Sequence, residues 1–249
     1  MTTTELNRSG TLYGIGVGPG DPELITLKAH RIIHCVPVVS YLANADGYSL
    51  ARDIARESLG SGEQTQVEVP VTMLMCKDRA IANRAYDSAA DSIRSYLDQG
   101  MNVAFLCEGD PLLFGSFAYI LDRLENSYTV EVVPGITSIS AAASAAGRAF
   151  GRLAENITIL SGRHGDERIL EVLISTENVA IMKPGVQRPR ILRLLQEAGR
   201  LQDACYLEHV SQSEQKIVHD VSTLEIEPGP YFSIFLVTPV HTKVNRWGD

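Results

Sequence analysis

Residues Thr11–Lys28 read TLYGIGVGPGDPELITLK, with four glycines (Gly14, Gly16, Gly18 and Gly20) set between a short apolar run and a helix-like stretch. A glycine-rich loop at that place, after a strand and before a helix, is where nucleotide phosphates dock. Counting tests the idea. The dinucleotide pattern Gly-x-Gly-x-x-Gly requires a third glycine at Pro19 if it starts at Gly14, or at Asp21 if it starts at Gly16, and both registers fail. A P-loop ends in Gly-Lys-Ser/Thr, whereas Gly20 is followed by Asp21 and Pro22. Asp21 and Glu23 also place negative charge at the helix start, which repels an anion. The stretch reads instead as a strand, a turn and a helix over Glu23–Cys35, with Asp21 as N-cap and Pro22 at the first helical position.

Outward from this loop, short strand-like runs alternate with helix-like ones. Strands are expected at Leu12–Val17, Val36–Leu42, Asn102–Cys107 and Thr129–Val133, and helices at Ser49–Ser58, Asp78–Gln99 and Phe114–Leu124. The long helix is the clearest, because Ile81, Ala85, Ala89, Ile93, Tyr96 and Leu97 recur at helical spacing and Gly100 can close it. A small-residue helix at Ser140–Ala146 follows Pro134-Gly-Ile-Thr-Ser138. Strands at Ile157–Leu160, Val179–Met182 and Cys205–Glu208 then alternate with helices at Glu167–Ile174 and Arg190–Ala198. Gln215–Val221 and Tyr231–Val237 read as successive strands around a turn at Glu227–Pro230, an antiparallel finish. The pattern predicts an α/β protein of two α/β domains, residues 1–134 and 135–249, the first with a largely parallel sheet.

The 249 residues suffice for a full core, and 45% apolar with 21% charged content is ordinary for a globular protein. A net charge of −8 disfavours nucleic-acid partners, which require a basic face. The start MTTTELNRSG has no cationic-then-apolar leader pattern, and the apolar run Tyr231–Val237 is far too short to span a bilayer. The expectation is a cytoplasmic protein without membrane contact. Cys35, Cys76, Cys107 and Cys205 are scattered and read as buried thiols. His30 and His34 stand four apart, yet Arg31 follows the first and no third ligand is evident, so they read as a solvated helix face and no metal is expected. A Gly-x-Ser-x-Gly nucleophile elbow is absent.

Four loops leave strand ends with small or turn residues: Gly18–Asp21, Glu108–Pro111, Pro134–Ser138 and Met182–Gly185. In open α/β sheets ligands bind beyond the carboxyl ends of strands. With GVGPGDPELITLKA, EGDPLLFGSF, VVPGITS, VAIMK and YFSIFLVT in this order, the chain resembles the tetrapyrrole (class III) S-adenosylmethionine-dependent methyltransferases from about Thr11 to Val237. The resemblance implies two α/β domains with the cofactor in the cleft between them, a homodimer, and a first loop that walls a cofactor and tetrapyrrole site. Within the family it is nearest the branch that methylates C-20 of precorrin-2 to give precorrin-3A in corrin synthesis, through YSLARDIA, YDSAADSI and FLCEGDPLLFGSFAYIL. A cobalt-loaded substrate, or another acceptor in the same fold, is the alternative.

Carried over residue by residue, the resemblance implies cofactor contacts at Pro19, Glu108, Gly109, Asp110, Leu113, Thr137, Ser138, Met182 and Val210. Asp110 can equally serve as a helix N-cap, and Met182 as plain core. Two departures matter. Uroporphyrinogen methyltransferases carry an aspartate after the second-strand tyrosine, where this chain has Leu42 after Tyr41; many relatives carry a glycine at Val210. Catalytic residues are not assigned. The electron-rich meso carbon C-20 attacks without prior deprotonation, so positioning is the main demand on the protein. Arg148, Arg152, Arg163, His164, Lys183, Arg188 and Arg190 are candidates to hold the substrate carboxylates, with solvated surface cations as the alternative. Methyl transfer to RNA or protein, and a nucleotide-binding oxidoreductase or regulatory domain, are the competing readings. The net charge and the failed glycine counts oppose them.

Overall fold

The computed structural model describes residues 9–60, 66–73 and 79–239. The chain forms two units, Met1–Thr137 and Ser138–Asp249.

In the first unit β1 (Thr11–Gly16) leads through a short 3₁₀ turn at Pro22–Leu24 to α1 (Leu27–Cys35) and β2 (Val38–Ala43). Next come α2 (Leu50–Ile54), β3 (Val67–Thr72), α3 (Arg79–Leu97), β4 (Val103–Cys107), α4 (Phe117–Leu124) and β5 (Thr129–Val133). All five strands are parallel, in the order β3-β2-β4-β1-β5. Alternate residues of the strands feed the two faces. Leu12, Val38, Val103 and Phe105 pack under α3 and α4 with Ile93, Leu97, Phe117 and Ile120. Ile15, Val39, Tyr41 and Leu106 pack under α1 and α2 with Ala29, Ile33, Ala51 and Ile54. The chain therefore leaves β1 toward one face and its neighbour β4 toward the other. That reversal opens a crevice at the carboxyl ends of β1 and β4, the usual ligand position in open sheets.

The structure corrects three expectations here. Asp21 caps only the 3₁₀ turn, accepting from the Glu23 N–H at 2.8 Å. The α-helix proper starts six residues later, capped by Thr26 Oγ1 on the Ala29 N–H at 3.2 Å. β3 was missed because VEVPVT alternates charge with valine and contains a proline, the profile of an edge strand, and this strand is the sheet edge. Finally, α4 begins at Phe117 rather than Phe114, whose φ of 54° is left-handed and stops a helix.

The second unit runs α5 (Ser138–Ala146), β6 (Ile157–Ser161), α6 (Asp166–Ser175), β7 (Asn178–Met182), α7 (Arg188–Glu197), β8 (Ala204–Glu208), β9 (Lys216–Val218) and β10 (Ser233–Val237). Its sheet order is β6-β7-β10-β8-β9. β6 and β7 are parallel, while β10 runs antiparallel to both β7 and β8. The finish is antiparallel as expected, but β9 and β10 are not partners. β10 inserts between β7 and β8, where all five of its residues are buried, and β9 pairs with the outer side of β8. A strand that is apolar from Ile234 to Val237 gains more from the centre of the sheet than from its edge.

Candidate functional site

In the first unit, the loops that follow β1, β4 and β5 meet backbone to backbone. The Val17 N–H donates to the Cys107 carbonyl at 2.9 Å; Gly18 and Gly109 then exchange two hydrogen bonds, 3.3 and 2.7 Å, as an isolated antiparallel bridge. Both glycines are left-handed, with φ of 80° and 68°, so a side chain at either strains the bridge. Gly16 and Gly135 close the cluster. A Cβ on Gly135 would stand 2.0 Å from the Gly109 carbonyl oxygen, and one on Gly16 would stand 2.5 Å from the Gly135 nitrogen. The sequence names Gly16 only as one of the four glycines of the first loop and Gly135 only within the strand-end loop Pro134–Ser138, and it assigns neither a contact.

Asp110 ties the same loops together. Its Oδ1 accepts from the Leu112 and Leu113 amides at 2.9 and 3.1 Å, and its Oδ2 from the Gly135 amide at 3.2 Å. The alternative role as helix N-cap is corrected: Ser116 occupies the N-cap of α4, and Asp110 instead closes the turn before it. Pro19 is buried beside Gly18, whereas Glu108, Leu113 and Thr137 are half-buried. With Asp21, the β1 and β4 loops carry the carboxylates Asp21, Glu108 and Asp110, which suit a cation and repel a phosphate.

In the second unit Ser138 is the first residue of α5, and Met182 ends β7 with 8% of its surface exposed. Val210 lies just past the end of β8, 6% exposed. Left-handed non-glycine residues concentrate here: Lys183 (φ 54°) directly follows β7, and His209 (48°) and Ser211 (63°) flank Val210. Each such residue costs on the order of 1–3 kcal/mol and persists only where its surroundings hold it. For Lys183 and His209, the first residue of β10 and the one before it do so. The Ser233 carbonyl accepts from the Lys183 amide at 3.1 Å, and the Phe232 carbonyl accepts from the His209 amide at 2.9 Å.

Of the cations proposed for substrate carboxylates, three are committed inside the second unit. Arg148 donates to the Asp203 carbonyl at 2.8 Å; Arg190 donates to Asp166 and to the Gly162 carbonyl, each at 2.6 Å; Arg188 is buried against Glu208. Arg152, Arg163 and His164 are exposed, and Lys183 lies with its ammonium 5.6 Å from the centre of the Tyr231 ring.

Sequence reasoning missed one polar network of the first unit, because it joins α2 and β2 to the unrecognised β3. The Tyr41 hydroxyl donates to Glu68 at 2.5 Å, and Arg52 grips the same carboxylate at 3.1 and 2.9 Å. Burial, then the Glu68 hydrogen bond, pushes the Tyr41 hydroxyl up to about 12, and the Arg52 hydrogen bond holds Glu68 below its ordinary value. Tyr41 is therefore a donor at neutral pH and not a base. Leu42, partly buried, packs against the α3–α4 core.

Burial pushes the Cys107 thiol up to about 12 and raises that of Cys205. Cys35 is exposed, which corrects the expectation of a buried thiol, and Cys76 lies outside the described residues. His30 and His34 are exposed, as expected, and among the described residues no group of three or more metal-binding side chains is assembled. No helix among them is long and apolar enough to cross a membrane.

A parallel sheet whose crevice loops meet through bare glycine backbone, together with a second, mixed sheet, defines an open-sheet α/β protein without a phosphate loop. Residues 11–225 match the family described as Tetrapyrrole (Corrin/Porphyrin) Methylases, and the chain belongs to that family. It is 34% identical over 234 residues to a protein named precorrin-2 C(20)-methyltransferase from a Sinorhizobium species, covering 92% of this chain and 95% of that one. It is also 32% identical over 237 residues to the cobalamin biosynthesis protein CobIJ of Mycobacterium tuberculosis, covering 93% of this chain. The chain spans about half the length of that relative, 46%. Among solved structures, the fold is similar to that of uroporphyrin-III C-methyl transferase from Thermus thermophilus complexed with S-adenyl homocysteine, with a TM-score of 0.66, 21% identity and 92% of each chain covered.

Proposed function

We propose that this protein transfers a methyl group from S-adenosylmethionine to C-20 of precorrin-2. The single observation that carries the reading is the 34% identity to a precorrin-2 C(20)-methyltransferase over nearly the full length of both chains. The local structure supports it. Loops rich in carboxylate and stripped of Cβ atoms fit a sulfonium-bearing nucleoside better than a phosphate. When bound, the donor supplies an electrophilic methyl group on a sulfonium leaving group.

The chain's own task is to hold and orient. Donor contacts are assigned to Pro19, Glu108, Gly109, Asp110, Leu113 and Thr137 in the first unit and to Ser138, Met182 and Val210 in the second. Gly109 offers backbone without a Cβ, and Asp110 keeps that backbone in place. Leu42, packed against the core, and a Tyr41 hydroxyl held at about 12 supply no base from either of these two positions of β2. That suits an acceptor carbon that is nucleophilic without deprotonation and opposes uroporphyrinogen as substrate. The functional form is a cytoplasmic homodimer.

The test is carbon-13 NMR of product made anaerobically from labelled S-adenosylmethionine with precorrin-2, in metal-free and cobalt-loaded form, and with uroporphyrinogen III. One labelled methyl at the C-20 meso position is expected, with slow turnover of uroporphyrinogen III. A label on a pyrrole-ring carbon refutes the regiochemistry, and rapid uroporphyrinogen methylation refutes the argument from Leu42.

A further inference from the structure

Arg188 is out of place by ordinary rules. It is the first residue of α7, where a cation faces the positive end of the helix dipole, and it is buried, which adds a desolvation cost. Three interactions within the second unit compensate. One guanidinium nitrogen donates to Glu208 Oε1 at 3.1 Å, with the two side chains 9% and 13% exposed. Nε donates to the Glu227 carbonyl at 2.7 Å, and the guanidinium carbon lies 5.6 Å from the centre of the Tyr206 ring.

The segment that begins at Glu227 lies directly on this group. The Gly229 amide donates to the Gly185 carbonyl at 3.0 Å, and a Cβ on Gly229 would stand 2.3 Å from the Tyr206 hydroxyl and 3.2 Å from Arg188 Cδ. Further along, Ser233 Oγ donates to the Pro230 carbonyl at 2.6 Å. The Phe232 and Ser233 carbonyls are the acceptors that hold His209 and Lys183 in their left-handed conformations. A single buried guanidinium is thus joined by two routes to the strained residues beside Met182 and Val210: through Glu208 at the end of β8, and through the 227–233 segment.

We propose that Arg188, acting through Glu208 and that segment, is a positioning residue that holds the ends of β7 and β8 in the shape that takes the methyl donor. The proposal rests on the functional reading above, which places Met182 and Val210 against S-adenosylmethionine. Arginine is required because it makes divergent hydrogen bonds and stacks on an aromatic face at once, which a lysine ammonium cannot do.

The experiment uses the full chain with Arg188→Met, Arg188→Lys and the double variant Arg188→Met/Glu208→Leu. S-adenosylhomocysteine affinity is measured by calorimetry, amide hydrogen exchange at Lys183 and His209, and KM and kcat with the donor varied. Arg188→Met is expected to weaken S-adenosylhomocysteine about tenfold, the equivalent of one charge-assisted hydrogen bond. Exchange at Lys183 and His209 should accelerate, and donor KM should rise more than kcat falls. Arg188→Lys should recover only part of the affinity. The double variant leaves no uncompensated buried charge, so its unfolding midpoint should recover while affinity and exchange protection do not. If affinity returns along with stability, or never changes in Arg188→Met, the positioning role is overturned. If the unmodified chain fails to bind S-adenosylhomocysteine, the functional reading falls, and this inference falls with it.

Discussion

Gly135→Ala is the sharpest probe of the loop cluster, because it adds one methyl group where only backbone can yield. The new Cβ would stand 2.0 Å from the Gly109 carbonyl oxygen and 2.8 Å from Gly16 Cα, whereas ordinary contact begins at 3.4 Å. The Gly109 oxygen must therefore retreat by about 1.4 Å, more than its hydrogen bond from the Gly18 amide tolerates. Losing the paired Gly18–Gly109 bonds costs about 0.5–1.5 kcal/mol each, and residual overpacking about 1–3 kcal/mol, so the expected loss is about 2–6 kcal/mol. Gly165→Ala serves as the control, since nothing lies within 4 Å of a Cβ there. The assay is urea unfolding with amide exchange read at Gly18 and Gly109, alongside S-adenosylhomocysteine calorimetry. Gly135→Ala should lose exchange protection at both amides, unfold at lower urea and bind weakly, while Gly165→Ala, which changes only the N-cap of α6, should keep that protection and the binding and lose at most about 1 kcal/mol. An unchanged midpoint and unchanged exchange in Gly135→Ala would refute the contention that backbone contact holds these loops.

Four further outcomes are expected. Asp110→Ala removes the acceptor for three amides and should destabilise by about 2–4 kcal/mol, with Asp110→Asn intermediate; equal stability of all three forms in urea would show the carboxylate to be dispensable. Folded Tyr41 keeps its proton up to about 12, whereas an unfolded tyrosine loses it near ~10. Its contribution is whole below the unfolded value and is lost as pH rises through the folded one, so Tyr41→Phe should flatten the alkaline limb of a stability–pH curve. Glu68, held low by Arg52, acts in the opposite sense: its contribution is present above the ordinary glutamate value and fades as pH falls through the lowered one. Sedimentation at micromolar concentration should show a species of twice the chain mass, and a lone single-chain species would count against the homodimer.

Apart from β3, the order of strands and helices was legible in the residues themselves. Apolar spacing announced α3, alternation of strand and helix announced the parallel sheet, and the glycine counts at Gly14–Gly20 excluded a phosphate loop before any coordinates were needed. Ordered motifs at strand ends were specific enough to indicate the family that the comparisons then showed. Those signals are local, since period, capping and turn chemistry act within a few residues. Pairing and close approach are different in kind. That VEVPVT is a strand depends on β2 lying beside it, and that SIFLV sits at the centre of its sheet depends on β7 and β8 both being open to it. The contact of Gly16, Gly109 and Gly135, the bond from the Gly135 amide to Asp110 and the pairing of buried Arg188 with Glu208 join residues far apart along the chain. Each exists only once the backbones have been brought within hydrogen-bonding distance, and no pattern of neighbouring residues encodes that distance.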